Sequence, residues 1–250
     1  MKSYFLLFCC LLSFNTFAKN IVKVGIYEFP PYVFADNKLD GITLKVIAAM
    51  NDFQDQYKFV AVPTTAKRRY SDFEKNKFDL IIFENKNWGW QSFPIEASEV
   101  FVSGSEVYVT QAETGKGQNY FSDFKNKAMI GVLGYHYKFA DYQTEQEIQK
   151  KHFNIFLTNS QQKSLELILK SRGDIAVLSK EYLHHHFSHS PADKNKLLIS
   201  DKVDQIYQHT ILVRKNKPLT VQYINTLLDR MKKQSILTSI WKQYGLEETN

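Results

Sequence analysis

Residues 78–93 read FDLIIFENKNWGWQSF, an apolar strand that runs directly into a polar loop. The loop carries the carboxylate of Glu84 and the indoles of Trp88 and Trp90. A tryptophan has a large apolar ring with one polar N–H, so it is costly to leave in water. We therefore expect this loop to form a wall of a ligand site. Glu84 is compatible with a counter-charge for a cationic ligand and equally with a surface carboxylate.

The segments around this strand alternate between strand and helix patterns. Strands are predicted at residues 21–27, 57–62, 128–133, 153–158 and 174–178, with an extended segment at 99–110. Helices are predicted at 42–56, 65–77, 137–151 and 160–172. A strand and turn at 209–219 and two amphipathic helices follow. This alternation predicts an α/β fold with two βαβ-type units, largely parallel sheets and right-handed crossovers.

Aromatic and polar residues follow four of the predicted strands. In open α/β sheets, ligands bind at the carboxyl ends of the strands. The candidate site residues at these ends are Tyr27, Phe29, Tyr32, Glu84, Trp88, Trp90, Tyr135, His136 and Ser179. If the two units face each other, these ends meet in one cleft, and we expect a small-molecule site there.

The first residues have the pattern of a secretory signal. Lys2 precedes the apolar run YFLLFCCLLSF, and the small residue Ala18 precedes a polar segment. The run is too short for a membrane-spanning helix, so we predict a signal peptide at 1–18 and a periplasmic protein. Cleavage after Ala18 would remove both cysteines, leaving no disulfide, thiol nucleophile or thiolate ligand. The net charge of +6 is spread along the chain, and we expect no nucleic-acid partner.

Several motifs, in order, resemble the periplasmic solute-binding proteins of family 3, the receptors of amino-acid-type ABC transporters. They are VKVGIYEFPPYVFADNKLDGITLKVIAAM, FEKNKFDLIIF, FSDFKNKAMIGVLGY, LELILKSRGDIAVLSKEYL and the closing segment from His209 to Leu246. The resemblance implies a two-lobed, type II periplasmic-binding-protein fold that closes on a small solute. Lobe 1 would comprise 19–108 and 209–250, and lobe 2 would comprise 109–208. The partner would be an inner-membrane permease, and the protein a monomer.

The chain departs from this family at two charged positions. The resemblance implies an arginine shortly after the third strand to hold a ligand carboxylate, but residues 86–91 contain none. It also implies an aspartate for the ligand's ammonium group, where this chain has Ser179. Arg68 is the candidate for an arginine that binds an anionic group of the ligand from a different position. The alternative is that Arg68 lies on a solvent-exposed helix face. We therefore predict a polar or aromatic solute, either amino-acid-like or amine-bearing.

Other functions fit the residues less well. Catalytic signatures such as G-x-S-x-G and H-E-x-x-H are absent from the sequence, so we expect no catalytic residue and no cofactor. An enzyme on this fold, such as a dehydratase, would need Glu84 and His136 as an acid–base pair. The cluster of His185, His186 and His189 has spacing for a metal but no completing ligand nearby, so no metal site is predicted. An alternative function is that of an accessory protein that senses a ligand and reports it to a membrane signalling receptor.

Overall fold

The computed structural model describes residues 19–35 and 39–246. Its strands are β1 (Asn20–Ile26), β2 (Tyr57–Pro63), β3 (Leu80–Glu84), β4 (Ile95–Ala97), β5 (Val102–Gln111), β6 (Met129–Val132), β7 (Ile155–Thr158), β8 (Ile175–Ser179) and β9 (Leu197–Arg214). Its helices are α1 (Ile42–Phe53), α2 (Arg69–Glu74), α3 (Gln146–Phe153), α4 (Gln161–Leu169), α5 (Lys180–His189), α6 (Val221–Lys233) and α7 (Ile236–Gln243). The predicted signal peptide lies outside the described residues.

The strands form two parallel units joined by a pair of antiparallel strands. Their order is β2-β1-β3-β9-β5-β8-β6-β7, with β4 paired to β9. At one end β1 is parallel to β2 and β3, and at the other β6 is parallel to β7 and β8. The long strands β5 and β9 pair along nearly all of β5. The predicted α/β fold with two βαβ-type units is therefore confirmed.

Each unit is covered by helices whose apolar faces are buried. In α6 the buried residues are Val221, Ile224, Leu227, Leu228 and Met231. Burying a side chain of this size contributes about 1.5–3 kcal/mol, so this face is enough to hold the helix on the sheet. The Thr220 hydroxyl accepts a hydrogen bond from the Tyr223 N–H and begins the helix.

We call the unit with β1–β4, α1, α2, α6 and α7 lobe 1, and the unit with β6–β8 and α3–α5 lobe 2. Both lobes share β5 and β9. The predicted boundaries near 108 and 208 fall inside these two strands, and the division at those residues stays a prediction. In the described part of the chain, every helix is too short or too polar to cross a membrane.

Three predicted elements differ from the structure. The predicted helix at 65–77 is only the six-residue α2 (Arg69–Glu74). The predicted helix at 137–151 is a short 3₁₀ turn at Lys138–Ala140 followed by α3, because Asp141 and Tyr142 both have positive φ and interrupt the helix. The strand predicted at the start of 209–219 is the end of β9, which stops at Arg214. Residues 197–204 of β9 were missed because they include polar and charged residues that break the alternation expected of a strand.

Candidate ligand site between the lobes

The carboxyl ends of β1, β3 and β6 meet at the interface of the two lobes. There a small cavity is lined by Tyr27, Phe29, Arg69, Trp88, Glu106, Gly134, Tyr135 and His136. Its free space of ≈ 20 Å³ is enough for about one water molecule. The lobes are therefore closed on each other, and their own side chains fill the cleft.

Phe29 stands at the centre of the aromatic cluster in the cleft. Its ring centroid lies 4.8 Å from that of Tyr32, 5.4 Å from Tyr135 and 6.3 Å from Trp88. Tyr135 belongs to lobe 2, and its hydroxyl donates to the Glu28 carbonyl of lobe 1 over 3.0 Å. Ring contacts at these distances add about 0.5–1.5 kcal/mol each beyond area burial, so this cluster stabilises the closed arrangement.

Arg69 and Glu84 form an ion pair with no solvent around it. Arg69 Nε lies 2.9 Å from Glu84 Oε1, and the Trp90 indole N–H donates to Glu84 Oε2 over 2.9 Å. The guanidinium carbon is 4.9 Å from the centre of the Tyr27 ring, a cation–π contact. Another guanidinium nitrogen donates to the Gly134 carbonyl of lobe 2 over 3.2 Å. This pair therefore connects the lobe 1 core to the interface.

Burial acts against both charges of this pair, and each partner supports the other. Burial opposes charge on Arg69, yet the Glu84 carboxylate holds the pKa of Arg69 above its ordinary value. Burial raises the pKa of Glu84, while the guanidinium of Arg69 and the indole of Trp90 act to lower it. Loss of either partner would leave a buried charge without compensation.

A hydrogen-bonded chain crosses the cleft through His136. Its Nδ1 lies 2.9 Å from the Tyr142 carbonyl in lobe 2, and its Nε2 lies 2.8 Å from the Tyr70 hydroxyl in lobe 1. The same hydroxyl lies 2.6 Å from the Trp88 carbonyl, and its single hydrogen is shared between that carbonyl and Nε2, because the neutral ring carries its N–H on Nδ1, facing the Tyr142 carbonyl. Burial and the nearby Arg69 lower the pKa of His136 to about 4, so the imidazole is neutral near pH 7. This chain ties the tryptophan loop to lobe 2.

Glu106 brings a carboxyl group from β5 into the cavity and was missed in the sequence. It is 3% exposed and sits directly opposite Ser179 in the β5–β8 register. The Gln205 side-chain amide donates to Glu106 Oε2 over 2.7 Å and also to the His136 carbonyl. Burial and then the neighbouring Asp204 raise the pKa of Glu106 well above its usual range. The available signal was an acidic residue inside the otherwise apolar segment EVYV of a strand.

Five predicted residues line the cavity: Tyr27, Phe29, Trp88, Tyr135 and His136. Tyr32, Glu84 and Trp90 are buried outside the lining. Tyr32 packs on Phe83 and His209 below Phe29, while Glu84 and Trp90 stand behind Arg69.

Ser179 and Arg68 are not placed at the cavity. The Ser179 hydroxyl accepts the Tyr182 N–H and begins α5, because the chain turns there from strand to helix. The Arg68 side chain is 63% exposed and lies 3.7 Å from Asp72, on the solvent side of α2. The neighbouring Arg69, which the sequence did not single out, is the arginine in the cleft.

The histidine cluster of α5 lies in a separate groove. His186 Nε2 is 3.0 Å from Asp193 Oδ2, and the His185 ring packs 4.7 Å from the Phe34 ring of lobe 1. Across the residues that the structure describes, no three or more His, Cys, Asp or Glu side chains are arranged to hold a metal ion.

Two α/β lobes that share two long strands and close over a ring-lined cleft define a type II periplasmic binding protein. The family model for bacterial extracellular solute-binding proteins, family 3, matches residues 22–247. The chain belongs to this family and is a ligand-binding protein, as the sequence motifs indicated. No curated protein matches the sequence.

Solved structures share the fold over most of the chain. Tv2483 bound to L-arginine is 14% identical with a TM-score of 0.72, covering 90% of each chain. The substrate-binding protein of an ABC uptake transporter from Streptococcus pneumoniae, with bound histidine, is 16% identical with a TM-score of 0.72, covering 90% of this chain and 92% of that one. AncCDT-1, an ancestral amino-acid-binding protein and precursor of cyclohexadienyl dehydratase, is 15% identical with a TM-score of 0.66, covering 90% of this chain and 95% of that one. At these identities the likeness shows the fold.

Proposed function

We propose that this protein captures a small amine-bearing, amino-acid-like solute between its lobes and presents it to an ABC permease. The observation that carries the proposal is the charge balance of the cavity. Its one cation, Arg69, is already paired with Glu84, whereas Glu106 has no ion-pair partner within 4.0 Å among the described residues. A cationic group on the solute would supply that partner.

The aromatic rings around Glu106 favour the same class of solute. The rings of Tyr27, Phe29, Trp88 and Tyr135 line the cavity, and the Tyr27 ring already contacts the guanidinium of Arg69. A cation held against such a ring gains about 0.5–2 kcal/mol, and more when water is excluded. A ring-lined pocket with one carboxyl group therefore suits an ammonium group attached to an apolar or aromatic body.

Solute binding must be coupled to lobe movement. The cavity has ≈ 20 Å³ of free space, far less than the roughly 300 Å³ of a typical small-molecule site. A solute therefore enters only when the lobes separate or the rings move aside. The empty closed form competes with the solute-bound closed form, and the solute shifts the population by its differential affinity.

The enzymatic alternative is not favoured by this geometry. It would need Glu84 and His136 as an acid–base pair at the reacting solute. Glu84 is engaged by Arg69 and Trp90 outside the cavity lining, and burial holds His136 neutral near pH 7 with its pKa at about 4. We therefore propose binding without turnover, in the periplasm, with the signal-like residues 1–18 as the export element.

The test is a thermal-shift and calorimetry series on residues 19–250. The panel contains tyramine, histamine, putrescine, arginine, histidine, glutamate and a simple carboxylate. A ligand at about 100 times its Kd stabilises the folded state by about 2.7 kcal/mol, which raises the melting temperature. We expect amines and cationic amino acids to do so, and the carboxylate not to.

Two matched variants locate the binding site. Glu106→Gln removes the carboxyl charge with nearly unchanged shape and should remove the amine-dependent shift. Glu96→Gln makes the same change on the exposed face of β4 and should leave the shift intact. Stabilisation by the carboxylate alone, or equal response of both variants to amines, would contradict the proposed solute class.

A further inference from the structure

Glu106 differs from the neighbouring buried acid Asp204 in how its charge is supported. Asp204 accepts hydrogen bonds from the Tyr108 hydroxyl at 2.7 Å and from the backbone N–H groups of Lys138 and Phe139 at 2.7 and 2.9 Å. The hydrogen bond found for Glu106 is from the Gln205 amide. A carboxylate with several donors tolerates burial much better than one with a single neutral donor.

Within residues 19–35 and 39–246, the groups around Glu106 do not offer it a cation in the closed cleft. Asp204 on β9 and Glu181 on α5 are acidic and oppose a negative charge on Glu106. Arg69 lines the same cavity but is engaged by Glu84, and His136 is neutral near pH 7. The remaining titratable neighbours are the tyrosines Tyr108, Tyr135, Tyr137, Tyr142 and Tyr207. A buried carboxylate in such a setting binds a proton rather than remain charged.

We propose that solute capture is an exchange of a proton for the solute's ammonium group at Glu106. In the empty closed form the carboxyl O–H bond is intact. When an ammonium group is enclosed, that bond breaks, the proton passes to bulk solvent, and the carboxylate pairs with the ammonium. The net charge enclosed in the cavity is therefore the same in the empty closed form and in the solute-bound closed form.

This exchange rests on the proposed function and adds to it a dependence of solute affinity on pH. Protons and solute compete for the closed cleft, so acid favours the empty closed form. Below the pKa of Glu106 in the empty protein, release of one proton makes solute affinity rise about tenfold per pH unit. Above that pKa the dependence disappears, because no proton remains to be released.

The first arm of the test needs no solute. Wild type and Glu106→Gln are unfolded with urea from pH 4 to pH 9. A carboxyl whose pKa is raised by folding stabilises the protein at low pH, and that contribution is lost as the pH rises through the folded-state pKa. Wild type should therefore lose stability relative to Glu106→Gln with increasing pH. Parallel curves would overturn the proposal. If the variant does not fold, carboxyl ¹³C NMR of wild-type protein labelled at glutamate gives the same answer.

The second arm uses tyramine and putrescine, whose amino groups are protonated at pH 6–7. Calorimetry in buffers of small and large ionisation enthalpy counts the protons released on binding. We expect about one proton per amine bound for wild type and none for any residual binding to Glu106→Gln. Amine binding without proton release would overturn the exchange while leaving the proposed function standing. Failure of these two amines and of the cationic amino acids of the panel to bind would refute the amine class and the exchange together.

Discussion

Arg69 Nε lies 2.9 Å from Glu84 Oε1, and both side chains are almost completely buried. An arginine in this cleft is thus held by a carboxylate of the protein itself, from the end of β3. The Nε of Arg69 is thereby engaged and is not available for the contact in which an arginine binds a carboxylate through Nε and a terminal nitrogen. This relationship supports the proposal that the cleft recognises an amine rather than a carboxylate.

Replacing Arg69 should destabilise the protein far more than replacing Arg68. Arg69→Ala leaves Glu84 buried and unpaired, which costs about 3–5 kcal/mol. Arg68→Ala removes an exposed side chain and a weak contact with Asp72, which costs less than about 1 kcal/mol. Urea unfolding at pH 7 measures both. Equal losses for the two neighbours would contradict the buried pair.

Trp88 and Trp90 should differ in their effect on amine affinity, although both are buried and replacement of either costs stability. Trp88 lines the cavity, so Trp88→Ala should lower amine affinity by roughly 2–30-fold, the equivalent of one cation–π contact. Trp90→Phe removes the N–H that serves Glu84 and should cost about 1–3 kcal/mol of stability with little change in affinity. Calorimetry and urea unfolding on both variants test this difference. A loss of amine affinity in Trp90→Phe with unchanged affinity in Trp88→Ala would contradict this assignment.

Gly134 allows the lobes to close. Its φ is +83°, and a Cβ there would lie 2.8 Å from the Lys67 backbone nitrogen of the opposite lobe. Gly134→Ala should hold the lobes apart and give a larger radius of gyration in solution scattering. Gly115→Ala is the matched control, because its φ is +81° but nothing lies within 4 Å of the added carbon. Both variants carry backbone strain of about 1–3 kcal/mol, so expansion in the control as well would contradict a role in closure.

Acid should destabilise the protein through His209. Burial lowers the pKa of His209 to about 3, whereas a histidine in the unfolded chain has a pKa of about 6.5. The unfolded state therefore binds the extra proton, and stability is lost as the pH falls from about 6.5 toward 3. The loss is about 1.4 kcal/mol per pH unit for one such group. His209→Phe keeps a ring in the aromatic cluster and should reduce the slope of unfolding free energy against pH; an unchanged slope would contradict this.

The sequence was sufficient for the fold, and it named several aromatic residues that lie at the lining of the cavity. Apolar strands followed by mixed aromatic and polar residues mark strand ends, and the carboxyl ends of parallel strands meet at one edge. Tyr27, Trp88 and Tyr135 could be named for this reason. The strands that precede these residues can be recognised locally, because segments with strand and helix patterns alternate along the chain.

The charged residues of the cleft could not be assigned in the same way. Arg68 and Arg69 are adjacent, and α2 is only six residues long, so its periodicity does not decide which arginine faces inward. The side chain of Glu106 accepts a hydrogen bond from Gln205, which lies 99 residues further along the chain. That partner lies in the polar first half of β9, which a local pattern does not mark as a strand. Such long-range pairs become visible only in the folded structure.

The most direct test of capture between the lobes is an NMR titration of the indole N–H groups with tyramine. The chain has three tryptophans, so tryptophan-to-phenylalanine variants assign all three signals. Trp88 lines the cavity, whereas Trp241 packs on Phe83 and Phe101 in the lobe 1 core. We expect the Trp88 signal to move most, with that of Trp241 nearly fixed. A shift confined to Trp241, or no shift for an amine that calorimetry shows to bind, would contradict capture in this cleft.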